Sequence, residues 1–97
     1  MTKAEVIVEI ASKTGLEKND VSTVLEAFFA VVKNSLSNGE NVYVRGFGSF
    51  NVKERKQKVG RIISQNTSIV IPAHYVPSFK PAKVFVEKVK SAGVKPA

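Results

Sequence analysis

The side chains that most clearly suggest a chemical role in this chain are basic. Residues 53–61 read Lys-Glu-Arg-Lys-Gln-Lys-Val-Gly-Arg, so five of nine are basic and Val59 is the only apolar side chain among them. Closely spaced cations of this kind neutralise phosphates and release counterions. These charges, and not a reactive group, are the chemistry that the segment offers, and they favour a polyanion as its partner.

The positive charge belongs to one half of the chain. The formal net charge is +7 over 97 residues. Residues 1–50 hold five bases against six acids, whereas residues 51–97 hold ten bases against two acids. Such asymmetry points to nucleic acid or an anionic membrane surface as a partner. The alternative is a basic solvated face that serves solubility alone.

The sequence offers few candidate residues for catalysis or for metal binding. The chain has no cysteine, and its one histidine, His74, cannot build a metal site alone. Neither a Ser/His/Asp set near a glycine elbow nor a phosphate loop is present, and we expect a structural role for His74. We therefore predict a protein that is not an enzyme and has no cofactor, metal or small-molecule substrate. No apolar run approaches the roughly 20 residues of a membrane span, and the N-terminus lacks a signal-peptide layout, so we expect a cytoplasmic protein without a membrane partner.

Two helices are predicted before the basic half. Thr2 and Glu5 fit a capping box, and Thr14-Gly15 ends the first helix after about three turns. The second helix runs from about Glu17 to Asn38-Gly39 and carries a broad apolar stripe. The stripe comprises Val21, Val24, Leu25, Phe28, Val32 and Leu36, widened by Ala27, Phe29 and Val31. A domain of this size has a thin core, so dimerisation is a natural remedy.

After Gly39 the spacing of apolar residues changes from a helical period to the two-residue alternation of strands. Residues 41–45 and 49–52 alternate as a hairpin around Gly46-Phe47-Gly48. Residues 53–71 are interpreted as a projecting β-ribbon with Gln65-Asn66 at its tip, although a disordered loop is the alternative. Pro72 fits an edge or a kink. A short last helix covers residues 82–90.

The order of these motifs resembles the bacterial HU/IHF family of histone-like DNA-bending proteins, and an HU-like member in particular. The residues that carry the resemblance are Gly46-Phe47-Gly48-Ser49-Phe50-x-Val52, Arg55, Gly60-Arg61, Ile69-x-Ile71-Pro72-Ala73 and Pro77-x-Phe79-Lys80-Pro81. The resemblance implies an α+β, IHF-like DNA-binding fold. Its parts are two N-terminal helices, a three-stranded antiparallel sheet with an extended β-ribbon arm, and a short C-terminal helix, in an intertwined dimer. The domain would cover residues 1–91, with the arm at about 53–71 and a flexible tail at 92–97.

The resemblance also implies the site residues. The DNA-binding arm would comprise Lys53, Arg55, Lys56, Lys58, Arg61, Ile69, Ile71, Pro72 and Ala73. The DNA-binding flank would comprise Lys3, Gly46, Lys80 and Lys83. The dimer core would comprise Phe28, Phe29, Val32, Leu36, Phe47, Phe50 and Phe79.

The arm tip departs from the family. Its members usually carry Asn-Pro there, with an intercalating proline, and this chain has Ile62-Ile63. Apolar side chains at such a tip wedge between base pairs and kink the duplex. We therefore expect Ile63, with Ile62 beside it, to form the wedge; the alternative is that both pack on the arm's own opposite strand, at Ile69.

The function that follows is that of an architectural, nucleoid-associated protein. It would bind double-stranded DNA through the minor groove with low sequence specificity, and it would bend and compact the duplex. The chain would act as a homodimer or as a heterodimer with a paralogue. The alternatives are a sequence-specific IHF-type subunit and a general RNA- or polyanion-binding protein. A membrane-surface role ranks below these because it needs a basic amphipathic helix.

Overall fold

The computed structural model describes residues 1–62 and 67–96. The elements in chain order are α1 (Lys3–Thr14), α2 (Lys18–Ser37), β1 (Val42–Val44), β2 (Gly48–Arg55), β3 (Lys58–Ile62), β4 (Thr67–Ile71), β5 (His74–Pro81) and α3 (Lys83–Ser91). The chain divides into two compact units, Met1–Ser35 and the residues from Leu36 onwards. The elements confirm the predicted α+β class and the order of its parts.

Helix α1 begins and ends where its capping residues predict. The Glu5 amide donates to Thr2 Oγ1 at 3.2 Å, and the Thr2 hydroxyl donates in turn to Glu5 Oε1. Gly15 takes the left-handed conformation at φ 77°, and its amide donates to the Ala11 carbonyl. Both ends of the helix therefore have partners for backbone groups that a helix terminus leaves open.

Helix α2 is long, and the single chain covers little of it. Val21 is the only buried residue among those that the structure describes. Val24 and Val31 are 68% and 63% exposed, and Phe28 and Phe29 lie with ring centroids 6.0 Å apart. The predicted stripe is present, and more than half of its residues are exposed in the single chain. A thin core in one chain is what the short sequence predicts.

The strands form one three-stranded sheet and one separate ribbon. The sheet has the order β1-β2-β5, antiparallel throughout, and ends with Arg55 opposite His74. Strands β3 and β4 then pair with each other, from Lys58 opposite Ile71 to Ile62 opposite Thr67. The residues between the two ladders include Pro72, which has no amide hydrogen to contribute to a ladder. Pro72 therefore lies outside both ladders, and its prediction as an edge or kink residue is consistent only in that it takes no central ladder position.

An aromatic cluster holds α3 against the sheet. The Phe47 ring lies 5.1 Å from that of Phe79 and stacks on Phe85 at 5.2 Å, and Phe50 lies 5.1 Å from Phe79. Close packing here depends on Gly48, because a Cβ on this residue would lie 2.5 Å from the Lys80 carbonyl oxygen. Within one chain, three residues of the predicted dimer core, Phe47, Phe50 and Phe79, thus pack together with Phe85, which was not among the predicted residues.

Candidate nucleic-acid interface

The register of the sheet separates its side chains into two unlike faces. Successive residues of a strand point to opposite faces, and paired residues share a face. One face, called the basic face below, carries Tyr43, Ser49, Asn51, Lys53, Arg55, His74, Val76, Ser78 and Lys80. The other carries Val42, Val44, Phe50, Val52, Glu54, Tyr75, Pro77 and Phe79. Within the three strands, the only carboxylate is therefore on the face opposite the bases.

The basic face presents its cations to solvent. Lys53, Arg55 and Lys80 are all exposed. Between them lie small polar groups: the Asn51 amide donates to Ser49 Oγ at 2.9 Å and is half-buried. Because no carboxylate of these strands competes for the cations, an incoming polyanion meets them unneutralised.

The ribbon continues from the end of this face. Lys56 lies between β2 and β3, Lys58 opens β3, and both are exposed. The ribbon's apolar side chains are also uncovered, with Val59 and Val70 69% and 60% exposed. A two-stranded ribbon is marginally stable alone, so exposed apolar side chains here suit a surface that meets a partner.

The remaining predicted arm residues lie on β3, on β4 and just beyond. Arg61 is paired with Ser68 in the ribbon, whereas Ile71 ends β4 and is followed by exposed Pro72 and Ala73. Ile69 lies against Gly60: a Cβ on that glycine would be 3.4 Å from Ile69 Cγ1.

A second basic feature lies where the β1–β2 turn meets α3. The Phe47 amide donates to the Val44 carbonyl across the turn, and the Ala82 amide donates to the Phe47 carbonyl. Ala82 precedes α3 and offers no side-chain cap, so the first amides of the helix are open to an external acceptor. The helix dipole favours an anion at this end.

This feature forms a shallow cleft of about 430 Å³. Among its lining residues are Tyr43, Arg45, Gly46, Lys80 and Lys83. Gly46 has φ 79°, and the space that its Cβ would occupy holds no other atom within 4 Å. Three of the four predicted flank residues thus meet in one cleft. Sequence reasoning missed Tyr43 and Arg45, although their alternation in the β1 pattern was the available signal.

The fourth flank residue, Lys3, lies in the first unit and is already paired. Its Nζ contacts the Glu26 carboxylate. The hydrogen bond from Lys3, and then its charge, hold the pKa of Glu26 below its usual value, and Lys33 adds to this while desolvation opposes it. A phosphate at Lys3 would therefore compete with Glu26.

The predicted dimer core lies on apolar surfaces that one chain leaves partly open. Phe28 and Phe29 are 41% and 36% exposed, whereas Val32 and Leu36 are half-buried. In the aromatic cluster, Phe47 and Phe79 remain 44% and 39% exposed. The predicted wedge is a different case, because Ile63 and the side chain of Ile62 lie outside the described residues, as do the predicted tip residues 65 and 66.

Two further observations concern other classes of site. Within the described ranges, no group of three or more His, Cys, Asp or Glu side chains is placed to hold a metal ion. None of the helices described is both long and apolar enough to cross a membrane.

The fold and the basic surfaces define a class: a small helix–sheet protein whose cationic sheet continues into a β-ribbon. Residues 1–90 match the family model described as bacterial DNA-binding protein. The DNA-binding protein HU of Thermus thermophilus is 41% identical over 90 residues, which is 93% of each chain. Integration host factor subunit alpha of Proteus mirabilis is 37% identical over 92 residues, 95% of this chain and 94% of that one.

A solved structure shares the architecture as well. The Anabaena HU–DNA cocrystal structure matches with a TM-score of 0.87 at 38% identity, and the match covers 92% of this chain and 97% of that one. The chain belongs to the HU/IHF family of bacterial DNA-binding proteins. This confirms the resemblance on which the site residues were predicted, and with it an architectural DNA-binding role.

Proposed function

We propose that the chain binds duplex DNA through the minor groove with low sequence specificity, and that it bends and compacts the duplex in the nucleoid. The observation that carries this proposal is the basic face of the sheet. Three exposed cations share it, the one carboxylate of these strands lies opposite, and the face leads directly into a ribbon with further bases. The Anabaena relative was crystallised with DNA.

The groups on this surface suit contact with the phosphate backbone more than base reading. Lysine and arginine contacts to phosphates position a protein but carry no direct sequence information. The minor groove, which a narrow ribbon can enter, offers a degenerate pattern of donors and acceptors. Low specificity therefore follows from both the contacting groups and the groove.

We infer that two chains form the functional unit. Val24 and Val31 on α2, and Phe47 and Phe79 on the aromatic cluster, leave large apolar areas uncovered in one chain. Burial of such area at about 25 cal/mol per Å² is the main source of association energy. In sedimentation, the free chain should have twice the monomer mass, and its thermal midpoint should rise with concentration. A monomer with a constant midpoint would refute the dimer.

The wedge remains a proposal from the sequence. Ile63 follows the last residue of β3 along the chain, beside Ile62. Insertion of an apolar side chain costs a few kcal/mol of unstacking per base step and permits a sharper bend.

The test of the proposed function is competition among nucleic acids as salt is varied. Affinity for a random duplex should fall steeply with salt, with a slope of about 0.9 per phosphate neutralised. Strong preference for a particular sequence would instead indicate an IHF-type subunit. Equal affinity for duplex RNA and heparin would indicate a general polyanion binder, and salt-insensitive binding would reject both the basic face and the ribbon as the interface.

A further inference from the structure

His74 stands at the junction between the sheet and the ribbon. It is the first residue of β5, at the last pair of the β2–β5 ladder, opposite Arg55. Its side chain is exposed on the basic face, and it is the only histidine in the chain. From the sequence we expected a structural role for this residue, but the register places it among the exposed cations of the basic face.

One ring nitrogen of His74 is held by the backbone. Nδ1 lies 3.0 Å from the Pro72 carbonyl oxygen. A carbonyl oxygen can only accept, so Nδ1 carries the hydrogen and donates it. Nε2 is therefore the nitrogen that gains or loses a proton. In the neutral ring Nε2 is an acceptor, like a phosphate oxygen, and only the charged ring can donate to a phosphate from this position.

The groups that face His74 favour an anion beside it. On the paired strand β2, Arg55 and Lys53 share its face, while Glu54 points to the opposite face, as does Tyr75 on β5 itself. Like charges directly opposite each other on paired strands are unfavourable. A phosphate held between Arg55 and a charged His74 would remove that repulsion. Bound DNA therefore favours the protonated ring more than the free protein does.

We propose that His74 is a proton-dependent phosphate contact, which strengthens DNA binding when the ring is charged. The inference rests on the proposed function, because it assumes that DNA lies on the basic face. DNA binding should then be accompanied by proton uptake at each His74. Histidine is the side-chain type that changes charge near neutral pH, so the measurements are made on both sides of neutrality.

The size of the effect follows from counterion release. One additional phosphate contact adds about 0.9 to the slope of log K against log salt. At about 0.1 M salt this corresponds to roughly eightfold tighter binding per contact, and near 1 M salt the gain vanishes. A dimer would carry two such contacts.

The experiment measures affinity for a short random duplex at about pH 5.5, 7 and 8 and constant ionic strength, by fluorescence anisotropy. The unsubstituted protein should bind more tightly at the lowest pH, with a steeper salt slope. His74→Gln, which stays neutral, should bind at every pH as the unsubstituted protein does at pH 8. His74→Lys, which stays charged, should bind at pH 8 as tightly as the unsubstituted protein does at pH 5.5. Circular dichroism should show all three folded, as expected for an exposed position.

Calorimetry in two buffers of different ionisation enthalpy gives an independent readout. Proton uptake on binding near pH 7 should be present in the unsubstituted protein and absent from His74→Gln. The same pH dependence in both proteins would overturn the inference and assign the proton to another group, such as the terminal amine. Binding without any pH dependence would overturn it too, while leaving the proposed function intact. Failure of the unsubstituted protein to bind duplex DNA at any pH would reject the proposed function itself.

Discussion

Two neighbouring residues of β2 offer a sharp test of the interface. Arg55 lies on the basic face opposite His74, whereas Glu54 lies on the other face opposite Tyr75. Each side chain is exposed and each substitution to glutamine removes one charge. Arg55→Gln should weaken DNA binding strongly, and Glu54→Gln should change it little.

The magnitude follows from the number of phosphates that the face neutralises. Loss of one contact lowers the slope of log K against log salt by about 0.9 per chain, or about 1.8 for a dimer. Arg55→Gln should therefore bind roughly sixtyfold more weakly than the unsubstituted protein at 0.1 M salt and about eighteenfold more weakly at 0.2 M. The two affinities should converge near 1 M salt, where this contribution vanishes. Glu54→Gln should leave the slope unchanged, because its charge is lost on the face away from the phosphates and longer-range effects are screened within about 10 Å at 0.1 M salt.

The assay is a titration of a labelled duplex at several salt concentrations, with both variants and the unsubstituted protein side by side. In plots of log K against log salt, Arg55→Gln should give a shallower slope, whereas Glu54→Gln and the unsubstituted protein should give parallel lines. Shifts of equal size and opposite direction, with weaker binding for Arg55→Gln and tighter binding for Glu54→Gln, would show that only net charge matters and that the division of the sheet into two faces is irrelevant. An unchanged slope for Arg55→Gln would place that residue outside the interface.

Three further predictions concern packing, pH and bending. Gly48→Ala should lower the free energy of unfolding by about 1–3 kcal/mol, because the new Cβ would clash with the Lys80 carbonyl oxygen. Gly60→Ala, whose Cβ would make an ordinary 3.4 Å contact, is the control and should change stability little. Chemical denaturation measures both. Pairing with Lys3 lowers the pKa of Glu26 in the folded chain, so the contribution of Glu26 to stability is complete above the ordinary pKa of 4.5 and is lost as the pH falls through the lowered value. The thermal midpoints of the unsubstituted protein and Glu26→Gln should therefore converge in acid. A difference that stays constant with pH would contradict this. Ile63→Ala should reduce bending, measured by energy transfer between labelled duplex ends, more than affinity for linear duplex, and undiminished bending would refute the wedge.

Much of the fold follows from local signals in the sequence. Thr2 and Gly15 mark the ends of α1 through hydrogen bonds that each residue makes within its own helix. The basic segment after residue 52 predicts a ribbon because β-patterned sequence resumes beyond it, and β3 and β4 pair accordingly. Such features depend on neighbours along the chain, and a single sequence contains them.

The composition of the site depends on partners that are distant in sequence. A shift of one residue in the β2–β5 register would exchange the two faces of the sheet, so the sequence alone does not separate Arg55 from Glu54. The pairing of Lys3 with Glu26 joins two helices, and Phe85 reaches the aromatic cluster from α3. The position of His74 beside Arg55 likewise appears only once the ladder is known.

The central claim is that the chain bends duplex DNA with a basic sheet and ribbon, and ring closure of a short duplex tests it most directly. A duplex well below the persistence length of about 150 base pairs rarely closes unaided, because smooth bending is costly. The account predicts that the protein raises the ligation rate into small circles by orders of magnitude at low salt, and that the effect disappears as salt is raised. Tight, salt-dependent binding without any gain in circles would contradict it, since the chain would then coat DNA without bending it.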